Sequence, residues 1–140
     1  MSLPLSYVGI VVAAAAAFVF GFLVHGPLFG KQWMTLMKIT PEQMEEGKKK
    51  MQGKMQYYMG AAFLQQLVVA AVMSHIAYSL YVTSIVSAIM LAFLLWLGLI
   101  ATTLLNGVLW EGRTKELYAF NVAYQLGSLM IITVIVTVLS

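Results

Sequence analysis

Residues 57–110, YYMGAAFLQQLVVAAVMSHIAYSLYVTSIVSAIMLAFLLWLGLIATTLLNGVLW, decide the fold. No Lys, Arg, Asp or Glu interrupts them. A helix needs roughly 20 apolar residues to cross about 30 Å of hydrocarbon, so this run holds two crossings. Tyr57–Tyr81 and Ser84–Trp110 are separated only by Val82 and Thr83, which makes them a tight helical hairpin.

The same reading extends outward to Leu5–Phe29 and Leu117–Leu139, which also lack Lys, Arg, Asp and Glu. The first of these is too long, and its start too poor in Lys and Arg, to read as a cleaved signal. Over all 140 residues the chain is 61% hydrophobic and 9% charged, with a mean hydropathy of +0.89. Soluble domains carry about 25% charged residues, so a water-facing surface cannot be assembled from this composition. The expected fold is all-α: one domain over residues 1–140, a polytopic membrane protein with four transmembrane helices in a compact bundle. Cysteine is absent, which excludes disulfides, thiolate metal sites and cysteine nucleophiles.

Charge placement sets the expected orientation. Lys31, Lys38, Lys48, Lys49, Lys50 and Lys54 follow the first span, and Arg113 and Lys115 follow the third. In a four-span chain these two connections share one side. Cytoplasmic loops carry the excess of Lys and Arg, so both ends of the chain are expected outside, in a prokaryotic inner membrane. Lys31, Lys48, Lys49, Lys50, Lys54, Arg113 and Lys115 are then candidate contacts for anionic lipid headgroups. Trp33, Trp110 and Tyr57 are candidate interface anchors. No nucleic-acid partner is expected, since the lysines do not lie on a soluble module.

Connection 30–56 begins within HGPLFGKQW, residues 25–33. Pro27 is expected to end or bend the first helix, with Gly26 and Gly30 supplying the turn. Thr40-Pro41-Glu42-Gln43 is a capping box with Pro at the first helical position. A short amphipathic helix is expected to start there and run into the second span, with Met44, Met51, Met55 and Tyr58 on one face. It lies either on anionic lipid or as a solvated loop packed on the bundle; Gly47 and Gly53 weaken it. A methionine copper site lacks supporting Cys or His ligands, so no metal or cofactor is expected.

Small residues at spacing four suggest how the spans meet: Gly9, Ala13, Ala17 and Gly21 in the first, Ser84, Ala88 and Ala92 in the third, Ala119, Ala123 and Gly127 in the fourth. His25 continues the first ridge and is expected to face a partner helix. Gln65, Gln66, Asn106, Asn121 and Gln125 cluster toward the cytoplasmic half, with Thr102 nearby. Polar groups at such depth face protein or water. They form either a cytoplasm-facing vestibule or ordinary interhelical hydrogen bonds. GFLVHG (21–26) and GVLWEG (107–112) form a short repeat that aligns His25 with Glu111. The two are either a titrating pair or, separately, an interfacial His and a Glu neutralised by Arg113 or Lys115.

The stretches GFLVHGPLFGKQWMTLM with TPEQM, and LWEGRTKELYAFNVAYQLGSLMI, resemble the two hallmark stretches of the domain-of-unknown-function family numbered seventeen sixty-one. The motifs are Gly26-Pro27-Leu28-Phe29-Gly30-Lys31 with Trp33, and Glu111-Gly112-Arg113 leading to Asn121, Tyr124 and Gln125. The resemblance runs nearly the whole chain and implies a small four-span bacterial membrane protein without an assigned activity. It also implies an aromatic residue where His25 stands.

The spans hold no paired carboxylates, and no phosphate loop, nucleophile elbow or metal-ligand spacing is present. The expected function is therefore a non-enzymatic helical module, a homo-oligomer or an accessory subunit bound to another membrane protein. The alternatives are a small-solute permeation protein using the vestibule, and a lipid-acting enzyme using His25 and Glu111.

Overall fold

The computed structural model describes residues 7–139, so the expected start of the first span at Leu5 lies outside them. All regular structure among the described residues is helical. The elements are α1 (Tyr7–Leu23), α2 (Gly30–Leu36), α3 (Pro41–Met51), α4 (Met55–Ser79), α5 (Ile85–Leu95), α6 (Thr102–Leu109) and α7 (Lys115–Val138). A π-helical turn, Val24–Leu28, prolongs α1, and a π segment, Trp96–Ala101, joins α5 to α6. Four helices are long and apolar enough to cross a membrane: Tyr7–Leu28, Met55–Ser79, Ile85–Leu109 and Lys115–Val138. The last three begin or end within about two residues of the expected spans.

Local chemistry explains the boundaries. Thr40 and Gln43 close the capping box in both directions, Gln43 N–H to Thr40 Oγ1 at 3.1 Å and Thr40 N–H to Gln43 Oε1 at 3.0 Å. Ser84 caps α5 by accepting from Ser87 N–H, and Thr114 caps α7 by accepting from Leu117 N–H. Each satisfies a donor that the first helical turn cannot. At the other ends, α2 and α4 close through Schellman pairs. Ile39 N–H reaches Met34 C=O and Lys38 N–H reaches Thr35 C=O; Val82 and Tyr81 repeat the pattern on Ala77 and Tyr78. The motif needs a left-handed residue, and here Lys38 (φ 58°) and Tyr81 (φ 57°) take it in place of glycine.

Two expectations about the connection are corrected. The helix begun at Pro41 does not run into the second span: Gly53 adopts φ 85° and breaks it, and α4 starts afresh at Met55. The shared face of Met44, Met51, Met55 and Tyr58 is therefore split between two helices, and the Met51 side chain lies outside the described residues. Nor do Gly26 and Gly30 make a left-handed turn. Pro27 has no N–H for the carbonyl four residues back, and the chain widens into a π turn instead, with Phe29 N–H on Val24 C=O at 3.2 Å. Gly30 matters by its size, since a Cβ there would stand 3.1 Å from the His25 carbonyl oxygen.

α7 is the hub. It packs against α1, α4 and α5, and α1 also packs on α4, whereas the third span meets the rest of the fold chiefly through α7. The core is built from small residues: Ala13, Ala14 and Ala17 of α1, Ala70 of α4 and Ala92 of α5 are buried against Leu129, Ile132 and Val136 of α7. Close backbone approach of this kind drives helix association where lipid removes the hydrophobic incentive. Thr133 is fully buried and satisfies its hydroxyl on Leu129 C=O at 2.7 Å. The ridges expected in α1 and α5 are used, with Ser84 serving as a cap. The α7 ridge is used only at Gly127, because Ala119 and Ala123 are exposed.

Candidate functional site

Toward the end of the molecule that carries the basic connections, α1 and α7 lock together through glycines and rings. A Cβ on Gly21 would fall 2.6 Å from the Tyr124 hydroxyl, and one on Gly127 would fall 2.9 Å from Phe20 Cζ. The two rings stack on each other, centres 5.6 Å apart and 17° from parallel. The π turn then swings His25 onto the edge of this stack. Its ring meets Tyr124 at 4.7 Å, Trp33 at 5.4 Å and Phe120 at 5.9 Å, all near perpendicular.

His25 Nδ1 lies 2.9 Å from the Gly21 carbonyl oxygen. A carbonyl only accepts, so Nδ1 carries the hydrogen in this contact, and Nε2 is the ring nitrogen left for a further partner. Beside it lies a cavity of about 210 Å³ lined by Phe18, Gly21, Phe22, His25, Met59, Ala62, Gln65, Gln66 and Tyr124. Gln66 and Tyr124 are half-buried, and Gln65 stands exposed at the opening. The hydrogen bonds within the described residues occupy none of the Gln65 and Gln66 amides or the Tyr124 hydroxyl. The lining contains no Lys, Arg, Asp or Glu.

The sequence model of one protein family, described as Protein of unknown function (DUF1761), matches residues 8–137, nearly the whole chain. The chain belongs to this family. Neither a curated protein nor a solved structure matches it. In this DUF1761 member both motif stretches lie within the matched residues and converge: Trp33 from the first and Tyr124 from the second both touch His25.

The six amide and hydroxyl candidates are distributed over separate places in this DUF1761 protein. Gln65 and Gln66 line the cavity beside His25. Asn121 borders a small cleft with Leu104, Gly107, Arg113 and Tyr118, and Gln125 is half-buried on α7. Asn106 and Thr102 are exposed on the third span, Thr102 donating to Gly98 C=O at 2.7 Å. His25 and Glu111 keep different company. Glu111 Oε2 lies 3.4 Å from Arg113 Nε in a solvent-exposed corner, where Gly112 turns the chain at φ 71° and Arg113 N–H reaches Gly107 C=O. The corners ending GFLVHG and GVLWEG therefore differ in backbone, one continuing as helix and the other breaking out.

Lys31 borders a shallow surface depression with Gln32, Thr35 and Leu36. Lys48, Lys49 and Lys50 are exposed in the last turn of α3, Lys54 precedes α4 and Lys115 opens α7. Trp110 and Tyr57 are 82% and 80% exposed, Tyr57 with its ring edge-on to Tyr58, whereas Trp33 is half-buried against His25. Among the described residues no group of three His, Asp or Glu side chains is placed to hold a metal.

Sequence reasoning passed over two cross-helix bonds. Trp96 Nε1–H donates to Val122 C=O at 2.7 Å, and Tyr118 O–H donates to Ala101 C=O at 2.8 Å. Both run from α7 to the two ends of the π segment in the third span. Such segments are rare and recur at functional positions; no hydropathy pattern announces one.

Proposed function

We propose that this protein is a non-enzymatic helical module of a bacterial inner membrane that assembles into a homo-oligomer through its third span. In this reading the four spans form one bundle in the bilayer, gathered on α7. The connections bearing Lys and Arg lie in the cytoplasm against anionic headgroups, both chain ends lie outside, and α3 rests its Met44 side on the lipid surface.

One observation carries the assembly reading. Gly98, Thr102 and Asn106 follow one another at spacing four in the third span, and all three are exposed, while that span meets its own fold chiefly through α7. Small and amide side chains are poor company for lipid tails and good company for another helix: Gly and Thr permit close approach, and an amide gains a partner across the interface. Mild-detergent extraction followed by native mass spectrometry tests this. A fixed multiple of the 15.4 kDa chain is expected, and replacing Asn106 by Leu and Gly98 by Ile together is expected to dissociate it. A monomer retained at every detergent ratio, with no companion chain, contradicts the reading.

A further inference from the structure

We propose that the cavity beside His25 binds the ring of a membrane quinol or quinone. The first argument is its unused polar capacity. Three side chains around it, Gln65, Gln66 and Tyr124, make no hydrogen bond within the described residues, and His25 spends only Nδ1, on Gly21. Their polar atoms are open at the cavity rather than sealed in the core, so they are available to a guest with matching groups.

The second argument is the kind of guest those groups select. The lining holds no cation to neutralise a phosphate and no carboxylate to hold an ammonium group, which leaves neutral molecules. His25 Nε2 and the amide oxygens of Gln65 and Gln66 accept from a quinol O–H; the Tyr124 hydroxyl and the amide N–H groups donate to a quinone carbonyl. Phe18, Phe22, Met59 and Ala62 supply apolar walls for the ring faces. A polyol of similar size would set hydroxyls against Phe18, Phe22, Met59 and Ala62, which cannot pair them.

The third argument is size and access. At about 210 Å³ the space is below the roughly 300–1,000 Å³ of pockets for drug-sized ligands, which suits one substituted ring with its tail outside. The opening is bordered by exposed Phe22 and Met59, so an isoprenoid tail leaves directly into lipid. Gly21 keeps the floor open, since any side chain there would meet the Tyr124 hydroxyl. The assignment concerns binding and invokes no electron transfer; it does not depend on the oligomeric state.

The test uses the full chain in lipid nanodiscs, with Trp96 and Trp110 replaced by Phe so that Trp33, which touches His25, is the remaining indole. A short-tailed benzoquinone is titrated and indole quenching recorded. Saturable quenching is expected, with half-saturation raised at least about tenfold by either Gln66→Leu or His25→Phe. Ala62→Phe fills the cavity without removing a polar group and is expected to abolish saturation; it keeps the test decisive if a polar variant loses its helical circular dichroism. Exchange of zwitterionic for anionic lipid is expected to leave half-saturation unchanged. Quenching that rises linearly with quinone, saturation indifferent to the folded variants, or displacement by anionic lipid overturns the proposal.

Discussion

Phe20 on the first span and Tyr124 on the last lie stacked 5.6 Å apart, and each ring covers a glycine of the opposite helix, Phe20 over Gly127 and Tyr124 over Gly21. This reciprocal fit sets the separation of α1 and α7 beside the cavity. It is therefore where packing and the proposed site are the same thing.

Gly127→Ala drives a methyl group to within 2.9 Å of Phe20 Cζ. Overpacking of this kind costs about 1–3 kcal/mol, and thermal unfolding in mild detergent is expected to fall accordingly. In a double-mutant cycle, Phe20→Leu and Tyr124→Leu are expected to couple by about 0.5–1.5 kcal/mol, the value of an aromatic pair beyond its buried area. Additive effects would show that the rings do not support each other.

The left-handed caps predict changes of opposite sign. Lys38 and Tyr81 hold φ values of 58° and 57°, a conformation costing an L-residue about 1–2 kcal/mol that glycine avoids. Lys38→Gly and Tyr81→Gly are each expected to raise stability by up to about 1 kcal/mol, the greater freedom of the unfolded glycine offsetting the remainder. Gly112→Ala, at φ 71°, is expected to lower it by about 1 kcal/mol. The readout is the unfolding midpoint of each variant.

The π segment of the third span is tied to α7 at both ends. Trp96→Phe and Tyr118→Phe each delete one donor and are expected to cost about 0.5–1.5 kcal/mol apiece. Amide exchange by mass spectrometry is expected to show faster exchange in residues 96–109 for the double variant. Unchanged exchange would place the anchorage of this span elsewhere.

Much of the fold was legible because a bilayer imposes one blunt requirement, a long apolar run without charge, and four runs met it. The Thr40–Gln43 capping box was legible for a similar reason, since its two side chains act on their own backbone. What escaped depended on contacts distant in sequence. Pro27 marked a disturbance but not its form, because a kink, a stop and a π turn differ in how neighbours take up the freed carbonyl. Tyr124 was visible only as a motif position; its role follows from Gly21 and Phe20, about a hundred residues earlier in the chain. Asn106 and Gln66 read alike as amides at similar depth, yet one faces outward and the other faces a cavity. That difference is tertiary: α1 packs on α4 beside Gln66, whereas Asn106 lies on an exposed side of the third span.

Cysteine cross-linking in native membranes tests the central claim most directly, because the chain contains no cysteine of its own. Single cysteines at Gly98, Thr102 and Asn106, oxidised before extraction, are expected to give a covalent dimer, while one at exposed Val68 of α4 stays monomeric. Monomer alone at all three third-span positions, with the protein folded, would contradict the account.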